Sequence, residues 1–163
     1  MLVGEYLNDS IEFIVLSTGM ETAVGVVDVK SSPVYFHVQR YETFNIAVRT
    51  IPFQIEQLNV GGGMDIASGI FTAPKSGIYF FSFTGRKEYD ADYLAVNLYH
   101  NSNRITTAYG TGVSGYLTAT LSSTLSLRSG DHVSLELYTG RLYDDIHRTT
   151  NFVGMLLQEE MVS

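Results

Sequence analysis

Gly69-Ile-Phe-Thr-Ala-Pro-Lys-Ser-Gly-Ile-Tyr-Phe-Phe-Ser-Phe83 reads as a turn followed by a strand. Pro74 donates no backbone hydrogen bond and fixes its own φ, and Gly77 can take a positive φ that other residues resist. From Ile78 the chain is almost wholly apolar. Side chains on a strand alternate between faces, so Tyr79, Phe81 and Phe83 point one way and Ile78 and Phe80 the other. An antiparallel strand with one wet face shows a polar residue at every second position. This one does not, so both faces need a cover.

Working outward, 163 residues suffice for one domain with a full core and are too few for two comfortable ones. With 45% hydrophobic and 17% charged residues the chain is globular. No apolar run approaches the length of a transmembrane helix, so membrane insertion is not expected. A formal net charge of −7 argues against nucleic acid or an anionic membrane as the main partner. The absence of cysteine removes disulfides, thiolate nucleophiles and cysteine metal ligands. A secretory leader needs a basic start and a continuous apolar segment, whereas Met1 to Met20 carries Glu5, Asp9 and Glu12. Either export by that route does not occur or the true N-terminus lies upstream.

Residues 1–33 carry strand-like stretches at Ile11–Leu16 and Ala23–Val29, with Gly19 and Gly25 as breaks. They contain no sustained heptad and no Gly-X-Y repeat, so neither a coiled-coil nor a collagen stalk is read there. Asn8-Asp-Ser10 is a glycosylation sequon of a kind that arises often by chance. From Val34 the pattern becomes regular. Strands are expected at 34–40, 51–57 (with Pro52 marking an edge or a start), 78–83, 93–100, 104–109, 116–127, 131–138 and 151–158. Val60–Asp65 is expected to be a flexible connector and Gly85–Asp92 a polar loop. No segment holds a 3.6-residue apolar period, so the chain is expected to be an all-β sandwich or barrel. The last strand repeats the first observation. Phe152, Gly154 and Leu156 oppose Val153, Met155 and Leu157, again with both faces apolar. Tyr79, Phe81, Phe83, Phe152, Met155 and Leu157 are therefore candidates for core or for an oligomer interface. A loop or the N-terminal segment folded over the second face would serve equally.

Gly110-Thr-Gly-Val-Ser-Gly115 fits the dinucleotide fingerprint, but that motif needs a helix behind it, and Thr-rich sequence follows instead. A loop between strands is the better reading. His37, His100, His132 and His147 have no metal-ligand spacing, so no metal site is expected from them. No Gly-x-Ser-x-Gly elbow occurs. Asp144-Asp145 and Glu159-Glu160 are adjacent, and strand neighbours face opposite sides, so neither pair is a ready acid/base couple. The chain is read as a non-enzyme. Two loops mix tyrosine with aspartate, a combination that stacks on and hydrogen-bonds a sugar or anchors in a protein interface. From them Tyr89, Asp90, Asp92, Tyr93, Tyr143, Asp144 and Asp145 are the ligand candidates; a solvated surface is the plain alternative.

With these residues laid out, the chain resembles the C1q globular-head family within the tumour necrosis factor-like jelly rolls. Phe53, Asn59 and Gly69-x-Phe71-x-Ala73-Pro74-x-x-Gly77-x-Tyr79-x-Phe81 are similar to that family's central signature. Leu125-x-Leu127-x-x-Gly130-Asp131-x-Val133 and Phe152-x-Gly154-x-Leu156-Leu157 resemble its later ones. The likeness covers roughly residues 34–163 and leaves 1–33 outside.

The resemblance implies a ten-stranded jelly-roll β-sandwich, assembly as a compact homotrimer, secretion, and binding of protein or carbohydrate ligands without catalysis. A lectin-like or innate-immune role is one expression of this; a cytokine-like receptor ligand and a structural extracellular trimer subunit are the alternatives. Calcium-binding members carry acidic residues around a Gly-Tyr-Leu. Here Gly110 and Thr111 precede Gly115-Tyr-Leu117 and Thr118 follows it, so no calcium is expected at that position.

Overall fold

The computed structural model describes residues 31–112 and 114–160 in full and, ahead of them, the backbone of three strands. The chain divides into two compact units, Met1–Ser32 and Pro33–Ser163. In the first, β1 (Leu2–Leu7), β2 (Ser10–Val15) and β3 (Ala23–Val27) form an antiparallel sheet in the order β1-β2-β3. The strand β1 adds to the sequence reading, and Gly25 lies within β3 opposite Phe13 instead of breaking it. Asn8 and Gly19 fall outside the described residues.

The second unit runs through β4 (Tyr35–Gln39), β5 (Arg49–Thr50), β6 (Ile55–Val60), β7 (Met64–Asp65), β8 (Ile70–Thr72) and β9 (Gly77–Lys87). It continues with β10 (Tyr93–His100), β11 (Asn103–Thr111), β12 (Thr118–Leu127), β13 (His132–Gly140), β14 (Leu142–Tyr143) and β15 (Asn151–Glu159). All pairings are antiparallel. One sheet has the order β12-β9-β15-β4-β6 with β14 on the end of β9; the other has β11-β10-β13-β8-β7 with β5 on β13. The chain passes repeatedly from one sheet to the other, with β7–β8 and β10–β11 as consecutive pairs within one sheet, and no helix occurs among the described residues. The three two-residue strands β5, β7 and β14 carry the count beyond the ten expected.

The alternation in Ile78–Phe83 decides the core. Tyr79, Phe81 and Phe83 are fully buried between the sheets, with Phe152 beside them. Phe36, Phe71, Phe81 and Phe152 form a continuous aromatic stack with ring centroids 5.0 to 6.3 Å apart. Edge-to-face and offset pairs of this kind add to the area they bury. The Tyr79 hydroxyl donates to the Lys75 carbonyl at 2.8 Å, so the buried phenol is not left unpaired.

The two signature turns brace each other. Ala73 N donates to Asp131 O and Gly130 N to Ala73 O, both at 2.8 Å. Asp131 then accepts from Arg128 N (2.9 Å), Asn101 Nδ2 (3.1 Å) and the His100 ring (2.9 Å). These bonds, with the Arg128 amide largest, hold the Asp131 carboxyl down at about 2.

Three local readings need correction. The strand expected at 51–57 is β6, an edge strand as Pro52 suggested, but it starts at Ile55; Pro52 lies ahead of it, where the chain crosses the core from β5 in one sheet to β6 in the other with Ile51 and Phe53 buried. Val60–Asp65 is an ordered turn, because Asn59 Nδ2 donates to Met64 O at 2.8 Å and Met64 N returns to Asn59 Oδ1 at 3.2 Å. Gly77 serves close approach: with φ at 158° its backbone is nearly extended, and a Cβ there would sit 2.2 Å from Gln158 O.

Candidate functional site

Strand β9 continues past the expected loop boundary to Lys87. The outward side of its alternation is therefore Ile78, Phe80, Ser82, Thr84 and Arg86, all partly exposed. Lys87 points inward and is completely buried. Its ammonium donates to the carbonyls of Glu88 (2.9 Å) and Ala91, which fixes the shape of the loop between β9 and β10. A buried ammonium without such acceptors would be strongly destabilising. Arg141 closes the same loop from outside, with Nε 3.0 Å from Glu88 Oε2 and NH2 2.6 Å from Asp90 Oδ1.

Arg86 is opposite Thr118 on β12 and Tyr143 on β14. Register thus brings its guanidinium over two rings, 4.3 Å from the Tyr116 centroid and 4.7 Å from that of Tyr143. The two rings lie 4.8 Å apart, and Tyr89 meets Tyr116 edge-on at 5.7 Å. Stacking of this sort favours arginine over lysine, because the planar guanidinium covers an aromatic face. Asp145 completes the group. Its Oδ2 accepts the Tyr143 hydroxyl at 3.0 Å and stands 3.8 Å from Arg86. The hydrogen bond to Asp145, and second the Tyr116 hydroxyl, push Tyr143 up to about 12. The His147 amide, foremost, holds Asp145 below the usual carboxylate range.

Of the sequence candidates, Tyr89, Asp90, Tyr143 and Asp145 converge on this end of the sandwich. Asp92 and Tyr93 are exposed, and among the described residues Tyr93 has no ring contact with the group. Asp144 is buried and turned away from solvent. It accepts from the amides of Asp145 (2.9 Å), Thr149 (2.8 Å) and Thr150 (2.7 Å), so its carboxylate organises the loop instead of facing a ligand. Arg86 and Tyr116 are additions that the sequence reading missed. Continuing the alternation beyond Gly85, which reads as a breaker, would have found Arg86. Gly85 is small because Leu142 and Phe83 fill the space where its Cβ would be.

The outer face of the β12-β9-β15-β4-β6 sheet is the other surface of interest. Tyr79, Phe81, Phe83 and Phe152 belong to the core, whereas Met155 and Leu157 are 40% and 57% exposed. Register sets Thr124, Phe80, Met155, Tyr35 and Val60 side by side across the five strands. The next row is Ser122, Ser82, Val153, His37 and Leu58. His37 is tied down by Asn151 Oδ1 at 2.8 Å, an acceptor it shares with Gln39. Among the described residues no three His, Asp or Glu side chains gather as a metal site would require.

The model of the C1q domain matches residues 35–157. This chain belongs to the C1q domain family. Its C1q domain is 36% identical over 110 residues to human complement C1q tumor necrosis factor-related protein 3, covering 67% of this chain and 45% of that protein. It is 33% identical over 111 residues to Caprin-2 of Danio rerio, covering 68% and 12%. The chain thus spans less than half the length of either relative. Among solved structures, the globular domain of zebrafish complement 1qA protein superposes with a TM-score of 0.65 at 20% identity, over 78% of this chain and 99% of that one. Murine APRIL gives 0.62 at 14% identity, over 77% and 99%. These likenesses establish a tumour necrosis factor-like sandwich. Membership makes the chain a non-enzymatic C1q-like module.

Proposed function

We propose that this C1q domain is a secreted recognition module that works as a homotrimer and binds a protein or carbohydrate ligand at the Arg86–Tyr116–Tyr143 end. The observation carrying the trimer is the outer face of the β12-β9-β15-β4-β6 sheet, where Phe80, Met155, Tyr35 and Val60 lie in one row. An apolar band of this kind calls for a partner, and a symmetric copy supplies the same band. Ligand binding is supported by the exposed tyrosines Tyr89 and Tyr116, backed by a guanidinium and two carboxylates held in fixed positions. Lectin-like and innate-immune roles both fit such a surface. The proposal includes independence from calcium at Gly110, Thr111 and Thr118: none offers a carboxylate, and Arg86 stands opposite Thr118 with a positive charge of its own.

The test is solution mass by light scattering, with and without chelator, followed by glycan and protein ligand screens on the same material. Three times 18.1 kDa, unchanged by chelator, supports the trimer without calcium. A stable monomer overturns the trimer. Failure of every ligand screen on folded trimer overturns recognition and leaves a structural subunit.

A further inference from the structure

The outer face of the other sheet carries a carboxylate that the fold does not neutralise. Glu136 on β13 is half-buried, opposite Asn97 of β10. Its Oε1 receives only long bonds, from Asn97 Nδ2 (3.3 Å) and the Tyr99 hydroxyl (3.5 Å). Among the described residues its Oε2 accepts nothing and no Lys, Arg or His pairs with it. An ionised carboxylate has about four acceptor sites, so most of its capacity is unused. Asn97, almost fully buried, is held in place by Thr107 Oγ1 at 2.7 Å. Beside it Ala95 makes a small floor between Tyr109 of β11 and Thr139 of β13. The register slips between Ala95 and Val96, and Tyr138, adjacent to Thr139, is exposed there, as is Tyr109.

We propose that this face is a lateral docking site for an arginine side chain of a protein partner. The argument is charge complementarity. A guanidinium presents two parallel N–H donors to a carboxylate, stacks on tyrosine, and is less strongly hydrated than an ammonium. A net charge of −7 attracts such a partner over distance. The cations nearest in register, Arg49 opposite Leu137 on β5 and Arg104 opposite Tyr99, form no ion pair with Glu136 among the described residues. The site is separate from the Arg86 end and stands or falls independently of it.

The experiment is a chemical-shift titration of the isotopically labelled full chain with Nα-acetyl-arginine methylamide, and in parallel with its citrulline counterpart, which keeps the shape and loses the charge. Arginine is expected to give saturable shifts centred on Asn97, Thr107 and Glu136, including the Asn97 side-chain amide. Binding should weaken about tenfold or more in Glu136→Gln, as loss of a charge-assisted pair implies. The citrulline arm uses the unaltered protein, so it decides the matter even if the variant is perturbed. Equal shifts from citrulline, unchanged affinity in Glu136→Gln, shifts confined to the Arg86 loops, no shifts at all, or occupancy of this face by methyl mannoside in place of arginine would each overturn the proposal.

Discussion

Asp144 is the residue whose replacement tests the structure most directly, because its carboxylate serves only its own chain. Three backbone amides converge on it, those of Asp145, Thr149 and Thr150, at 2.7 to 2.9 Å. Thr150 has no exposed surface, so its amide cannot turn to water when the carboxylate is removed. Asp144→Ala leaves that donor buried and unpaired, at a cost of about 1–3 kcal/mol, and loses about 1 kcal/mol for each of the two amides nearer solvent. It also takes a negative charge away from buried Arg40, whose guanidinium burial pulls below its usual range while Asp144, then Glu42, opposes the shift. The sum is about 3–5 kcal/mol. Asp144→Asn keeps Oδ1 for Asp145 and Thr149 but turns an NH2 group toward the Thr150 amide, and should lose about half as much. With a urea slope near 2 kcal/mol/M, the alanine variant should unfold about 1.5–2.5 M earlier than the parent. Equilibrium urea unfolding followed by far-ultraviolet circular dichroism measures this. A midpoint within about 0.25 M of the parent would refute the reasoning, since it would mean that water replaces the carboxylate at no cost.

Other consequences follow from single residues. Gly154→Val sets a Cβ 2.4 Å from the Phe36 ring and 2.8 Å from Phe81, so it should cost at least about 3 kcal/mol and lower the melting temperature accordingly. Asp131, held at about 2 against an ordinary 3.8, stabilises the fold fully above pH 3.8 and ceases to as pH falls from there to 2. That linkage is worth about 1–2 kcal/mol after solvent screening, and acid titration of stability should find it in the parent and not in Asp131→Asn. Tyr143, raised to about 12, keeps its proton while ordinary tyrosines near 10 ionise; its contribution is complete below pH 10 and lost as pH rises through 12. Ultraviolet titration should show a late phenol in the parent that moves earlier in Asp145→Asn, beside Tyr79, which burial also raises and which that substitution leaves in place. Met155→Glu puts a charge into the exposed apolar row and should convert the proposed trimer to a folded 18.1 kDa monomer by light scattering.

The core was legible because strand alternation is a strong signal when the buried residues are aromatic. Spacing put Tyr79, Phe81 and Phe83 on one face of their strand and Phe152 on one face of its own, without saying which faces are core and which, like that of Met155 and Leu157, are exposed. The second apolar face was legible too, but its cover was not, since one chain's pattern does not say what lies against it. The loop end was half-read. Tyr89 and Tyr143 were visible as residue types, yet the guanidinium between the rings depends on β12, β9 and β14 meeting at Arg86, a register set by partners 32 and 57 positions away. Around Pro52 the edge was legible but the strand's start was not: the residue stands where the chain leaves one sheet for the other, ahead of the edge strand β6.

Asp144 and Lys87 resolve what looks at first like a contradiction. Charged residues in a loop are normally taken as solvated, or as contacts for a ligand. Both of these are buried and spend their charge on backbone groups, Lys87 on the carbonyls of Glu88 and Ala91, Asp144 on three amides. Each stabilises a loop through atoms that any sequence possesses, so the loop's shape does not depend on the side chains it displays. Tyr89 and Tyr116 are thereby free to differ without loss of the frame. Specificity can then change by substitution at the displayed positions, while replacement of Lys87 or Asp144 should abolish loop structure and binding together.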